Sequence, residues 1–177
     1  MADAPNENND LADLLFKRAG ICLMEVQLIE KFLALLLYPS RLIAQQPVDA
    51  ELFFSLKDKL WSTTIGKLEQ IYKVEFKNNP LLLFEIETIR KKRNKFVHSF
   101  FTEYADQWAL STATSSQLNE MIRELDKLHT LFAGFARRLE LLGAKEKPKW
   151  DAITKALVEF GKARGWELPD EFKGWDR

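Results

Sequence analysis

Cysteine is nearly absent: Cys22 is the only one in 177 residues, and it lies in an apolar run. One thiol cannot close an intramolecular disulfide, so the chain is no disulfide-stapled scaffold, and it suits a reducing, cytoplasmic compartment. Glycine and proline are scarce too, at 7 and 6 residues. All-β chains need many tight turns, so this scarcity favours long helices. Net charge is also missing, because 26 basic residues offset 26 acidic ones. Proteins that coat nucleic acid unselectively are basic overall, so any such contact has to come from a local patch. The most apolar stretch, residues 21–37, is interrupted by Glu25, Glu30 and Lys31, which argues for a buried helix and against a membrane span. Residues 1–10 are acidic and polar and do not read as a signal peptide.

Several chemistries lack their residues. Two histidines, one cysteine and no H-E-x-x-H make a poor metal site, so neither a metal nor another cofactor is expected. There is no Walker-type loop, no G-x-G-x-x-G and no G-x-S-x-G. The 26 acids offer many carboxylate pairs, but nothing selects one.

What is present is a globular composition, 46% hydrophobic, on a chain long enough to bury one core. The pattern predicts an all-α fold: a single antiparallel bundle of about five helices. Residues 1–9 read as a disordered tail, 10–143 as the bundle, and 144–177 as a helical and aromatic extension packed on it. Asp10 can cap a first helix that runs to Tyr38, where Pro39 is expected to stop it; its apolar residues go nearly all round, placing it at the bundle centre. Asp49 can cap a second helical region reaching Val74, with Thr63, Thr64 and Gly66 as the candidate break. Pro80 suits the first turn of a third helix, to about Phe101. Thr114 and Gln117 fit a capping box for a fourth, which carries a clean stripe from Leu118 to Leu142 and ends near Gly143. Pro148 opens a last short helix to about Ala163.

The third helix holds the most informative string, Arg90-Lys91-Lys92-Arg93-Asn94-Lys95-Phe96-Val97-His98-Ser99. Arg93 falls in the middle of an apolar stripe, where a cation must be paired or border a polar cleft. At 100° per residue, His98 stands about 140° round the helix from Arg93 and shares a face with Asn94. Cleavage of RNA through its own 2′-hydroxyl needs a base, an acid, and a cation for the charge that develops on phosphorus oxygens. Histidine is matched to proton transfer near neutral pH. Arginine holds phosphate oxygens with a planar fork of donors. One chain offers one convincing histidine, so base and acid together call for two copies.

Arg93-Asn94-Lys95-Phe96-Val97-His98 resembles the R-x4-6-H motif of HEPN domains, including the Asn that often follows the Arg. The resemblance covers roughly residues 11–142 in layout. It implies a helical bundle that dimerises with the motif helices facing each other. It also implies a metal-independent endoribonuclease of the toxin–antitoxin or phage-defence kind, with RNA as substrate and an antitoxin or regulatory protein as a further partner. Other members of the family have lost activity and serve as dimerisation or binding modules, which is the alternative here. On this resemblance Arg93, His98 and Asn94 are the catalytic candidates. Some members carry a Tyr two residues after the His that a partner enzyme modifies; Phe100 stands there instead, so that control is not expected.

Around the motif, Arg90, Lys91, Lys92 and Lys95 either steer an RNA backbone or form a solvated face. Ser99 either binds phosphate or helps position His98, or it simply caps the helix end or bonds to backbone. Glu30 either orients Arg93 or faces solvent; for Glu25 the solvent reading is preferred. His129 reads as structural. Trp150, Trp166 and Trp175 either stack on bases or pack the C-terminal extension.

Overall fold

The computed structural model describes residues 7–44, 50–100, 102 and 113–165. The Asp49 cap, residues 1–6, Trp166, Trp175 and the rest of the segment after Gly165 lie outside that set. Among the described residues all regular structure is helical: α1 (Glu7–Ala44), α2 (Ala50–Trp61), α3 (Ile65–Glu75), α4 (Pro80–Lys95), a π-helical turn (Phe96–Phe100), α5 (Ser115–Lys145) and α6 (Lys147–Ala163). No described helix is long and apolar enough to cross a membrane. The chain forms two compact units, Met1–Ile29 with Ile65–Arg137, and Glu30–Thr64 with Arg138–Arg177. The boundaries between them fall inside α1 and α5.

Local signals account for most helix ends. Ser62 and Thr63 turn their hydroxyls back on the carbonyls of Asp58 and Lys59, closing α2 and separating it from α3. Asn79 Oδ1 accepts the Leu82 amide at 3.2 Å, and Pro80 sits in the first turn of α4, where its missing N–H costs nothing. At the start of α5, Gln117 Oε1 accepts from the Thr114 amide at 2.8 Å, while Thr114 Oγ1 accepts the Gln117 amide at 3.3 Å. That is the reciprocal capping box. Beyond α6, Gly165 takes φ +69°, a conformation glycine adopts without a Cβ clash, and its amide reaches Lys162 O at 3.1 Å.

Three expectations for α1 are corrected. It begins at Glu7, three residues before Asp10, and it continues through Pro39 to Ala44. Proline removes one helical hydrogen bond, but Pro39 is buried and Leu42, one turn on, is fully buried, so packing carries the helix past it. Nor is α1 buried all round. Leu15, Ala19, Cys22, Val26 and Ile29 are covered, whereas Phe16, Met24 and Leu28 on another face are exposed.

In the first unit, α1 meets α5 through the Cys22 thiol, which donates to Leu125 O at 3.4 Å, and through Arg18 and Asp126 at 3.1 Å. The expected stripe of α5 is buried at Leu118, Met121, Leu125, Phe132 and Phe135. In the second unit, Tyr38 donates its hydroxyl to Phe53 O at 2.5 Å and stacks on Trp150 with ring centroids 5.2 Å apart. Trp150 is therefore a packing residue in this structure. Burial raises the Tyr38 hydroxyl well above its ordinary pKa, with the Asp58 carboxylate adding to the effect.

Candidate functional site

The motif lies at the C-terminal end of α4. Leu82, Ile86 and Ile89 are buried and fix one side of the helix against the core of the first unit. Arg93 continues that side and is half-buried; its Nη1 donates to Asn94 Oδ1 at 3.3 Å. The structure thus brings two of the three catalytic candidates together. Asn94, through that bond, limits how the guanidinium can turn.

Past Lys95 the helix changes character. The Phe96 amide is shared between the carbonyls of Arg93 and Lys92, and residues Phe96–Phe100 then form a π-helical turn. In a π turn the hydrogen bond spans five residues, so each residue rotates the chain less than in an α-helix. The 140° separation of Arg93 and His98 expected from regular helix geometry therefore does not apply. The turn buries both Phe96 and Phe100, whose rings lie 5.5 Å apart, and leaves His98 exposed between them. Among the described residues, the His98 imidazole makes no hydrogen bond or ion pair; the His98 carbonyl accepts from Thr102 Oγ1 at 2.7 Å. It is open to a ligand or to a second chain.

The candidates for substrate binding do not share one environment. Arg90 points to α3, where its Nε donates to Glu69, a carboxylate only 1% exposed, and Lys73 meets the other oxygen of Glu69 at 2.7 Å. Lys91 is exposed but pairs with Glu87 at 2.7 Å, and the Glu87 carboxyl is held below its ordinary range by that hydrogen bond and charge. Lys95 is exposed and, like Lys92, makes no ion pair among the described residues. Ser99 is part of the π-helical turn. Glu30, the supporting candidate, is half-buried on α1 in the second unit. His129, on α5, is half-buried, and its Nδ1 is covered with no hydrogen-bond partner among the described residues.

Against models of protein families, curated proteins and solved structures, the chain matches nothing. What it can do therefore rests on its own residues.

Sequence reasoning missed a second group, on α5. Arg123, Glu124 and Lys127 lie on its exposed face, and Lys127 pairs with Glu124 at 2.5 Å. The Glu124 carboxyl is held below its ordinary range, first by the hydrogen bond and charge of Lys127 and then, against a little desolvation, by Lys92 and Lys95. Nothing in the sequence marked this group, since every third or fourth residue of a long amphipathic helix is expected to be charged. Glu69 carried a weak signal, standing beside the buried positions Ile65, Leu68 and Tyr72. Among the described residues no group of three or more His, Cys, Asp or Glu side chains is placed to hold a metal ion.

Taken together, the end of α4 offers a half-buried guanidinium, an amide bonded to it, an exposed imidazole and two exposed ammonium groups. That set can bind a phosphodiester, stabilise charge on its oxygens and move a proton.

Proposed function

We propose that this chain is an RNA endonuclease of HEPN type that works without a metal ion, with a composite site contributed by two copies of the chain. The reading rests on one observation: the R-x4-H string coincides with a π-helical turn that buries Phe96 and Phe100 while exposing His98. Interruptions of this kind cost regular hydrogen bonding and are found frequently at functional sites. In this reading His98 is general base or acid, with the second role taken by the same residue of the other copy. Arg93 stabilises the phosphorane-like transition state, and Asn94 sets the orientation of Arg93 or of the ribose. The products are a 2′,3′-cyclic phosphate and a free 5′-hydroxyl. A role as toxin of a toxin–antitoxin or phage-defence pair, held in check by a protein partner in the cytoplasm, follows from the same resemblance.

The test is incubation of purified protein with RNA in chelator, beside His98→Ala and Arg93→Ala. Discrete cleavage by the parent that both variants lose, and that a 2′-deoxy substitution at the scissile position blocks, supports the reading. Equal cleavage of the 2′-deoxy substrate overturns it.

A second reading draws on Leu81 and Phe84, which α4 leaves 68% and 67% exposed. Apolar side chains this open on the motif helix suit a non-catalytic module that docks a partner through α4. Folded protein that never cuts RNA, and that dimerises or binds its partner equally well with and without His98, would favour it.

A further inference from the structure

Within the first unit, the side of α1 that faces away from the core carries Leu14, Lys17, Ile21, Met24 and Leu28. Their spacing is three, four, three, four, the repeat at which one helix presents a continuous seam to another. The seam runs about 21 Å along the helix. Leu14, Met24 and Leu28 are 38%, 52% and 40% exposed, and Ile21 is half-buried. Apolar side chains at coiled-coil spacing are thus left open on the longest helix of the chain. Gly20 borders the seam in mid-helix. It is exposed, and a Cβ added there would meet no atom within 4 Å. Glycine weakens a helix interior relative to alanine, and nothing among the described residues requires one at this position. A second helix backbone closing on the seam does require it.

We propose that this seam pairs with the same seam of a second copy of the chain, the two helices running antiparallel. The contact goes beyond the reading at α4 and does not depend on it. Charge decides the occupant and its direction. A parallel pair sets Lys17 against Lys17 of the other copy across the seam. The antiparallel pair sets Ile21 opposite Met24 and Lys17 opposite Leu28, where the lysine stem packs on leucine and its ammonium reaches water at the edge. A lone lysine in such a seam fixes register at some cost in stability. In that register Arg18 of each copy stands within a turn of Glu25 of the other, so the two-fold axis makes the ion pair twice. Glu25 is half-buried and makes no ion pair among the described residues. Arg18 already meets Asp126 at 3.1 Å, and a guanidinium has donors for a second carboxylate. The opposite flank, at Gly20 and Gln27, carries no charge.

The test is the mass of the full chain in solution, measured by sedimentation over a range of concentrations. Beside it stand Met24→Glu with Leu28→Glu, Gly20→Gln, and Phe54→Ser on α2 as a control. All are exposed positions, and helicity is checked for each. The seam double variant is expected to lose the pairing. Gly20→Gln favours the isolated helix yet is expected to weaken association by about tenfold, because it overfills a closed contact. The control is expected to match the parent. A seam variant that falls to a monomer supports the seam and leaves no second copy for a composite site at α4. One that falls from a larger assembly to a dimer supports both contacts. A wild type that is monomeric at every concentration overturns the pairing, as does a mass unchanged in both seam variants. Direction is read from disulfides: Lys17→Cys mixed with Leu28→Cys is expected to cross-link, and neither variant alone. Cross-links within either variant alone mean a parallel pair and overturn the antiparallel register.

Discussion

Arg90 of α4 donates its Nε hydrogen to Oε2 of Glu69 on α3, a carboxylate 1% exposed whose other oxygen is met by Lys73 at 2.7 Å. A carboxylate taken this far out of water is tolerated because cations compensate it on both sides. The pair ties the helix that carries the motif to its neighbour one turn before Arg93. Arg90→Ala leaves the buried charge with Lys73 as its one ion-pair partner among the described residues. Removing one partner of a buried pair costs about 3–5 kcal/mol; the partial exposure of Arg90 and the remaining lysine lower the expectation to roughly 2–4 kcal/mol. Urea unfolding of the two proteins checks it. Replacing both partners, Glu69→Gln with Arg90→Gln, should cost less than the sum of the single changes, because no uncompensated charge is then left inside.

How much of this was legible beforehand depended on range. The Asn79–Pro80 start, the Thr114–Gln117 box and the break before Ile65 are written within a few residues of where they act, and each lies where sequence reasoning placed it. Pro39 misled because its local rule is opposed by burial of Leu42, which only the packed unit reveals. The π-helical turn was invisible for a related reason: which way Phe96 and Phe100 must aim is decided by the core around them.

The candidate site divides along the same line. That Arg93 sits on the buried side of α4 followed from periodicity, and its bond to Asn94 is between neighbours. The sequence showed Arg90, Lys91, Lys92 and Lys95 as one basic run. A charge looks the same in sequence whether a carboxylate 21 residues away neutralises it, as Glu69 does for Arg90, or nothing does.

Cys22 is fully buried and donates to Leu125 O, so it is expected to be inert in the native protein. Burial pushes the thiol from its ordinary 9.0 up to about 11, with Asp126 and Glu25 adding to the rise and Arg18 opposing it. A disulfide-exchange reagent near neutral pH should label it only once urea unfolds the chain. The native state holds this proton more tightly than the unfolded state does. The corresponding stability is therefore complete below 9.0 and is lost as pH rises through about 11. Cys22→Ala should flatten that alkaline loss, which urea midpoints taken across the same window would show.

Thr114 and Gln117 offer a test of a helix start against a helix interior of the same chain. Thr114→Ala removes the oxygen that accepts the Gln117 amide and should destabilise by about 1 kcal/mol. Thr130 lies mid-helix on α5, exposed, with its hydroxyl turned back on Asp126 O at 2.9 Å. There alanine is the better helix former, so Thr130→Ala should be neutral or stabilising by a few tenths of a kcal/mol. Thermal unfolding of both variants distinguishes the positions. Equal destabilisation would mean that the box contributes nothing beyond an ordinary hydroxyl.

The π-helical turn makes a sharper demand. A π turn holds one residue more than the α turn it replaces, so deleting Val97, which is half-buried, should let the segment close as regular α-helix. The hydrogen bonding becomes more regular and the deleted side chain is small, so the melting temperature should stay within a few degrees. The deletion also shortens the spacer between Arg93 and His98 by one residue and turns the imidazole to a different direction. If the turn exists to aim His98, RNA cleavage should fall by at least two orders of magnitude while RNA binding changes little, because misplacing a reacting group by about 1 Å already costs about 10²-fold. Binding measured beside cleavage tells a damaged catalytic geometry from a failure to hold substrate. A deletion variant that melts like the parent and cuts like the parent would show that the turn serves only to bury Phe96 and Phe100, and the direction of His98 would then carry no chemistry.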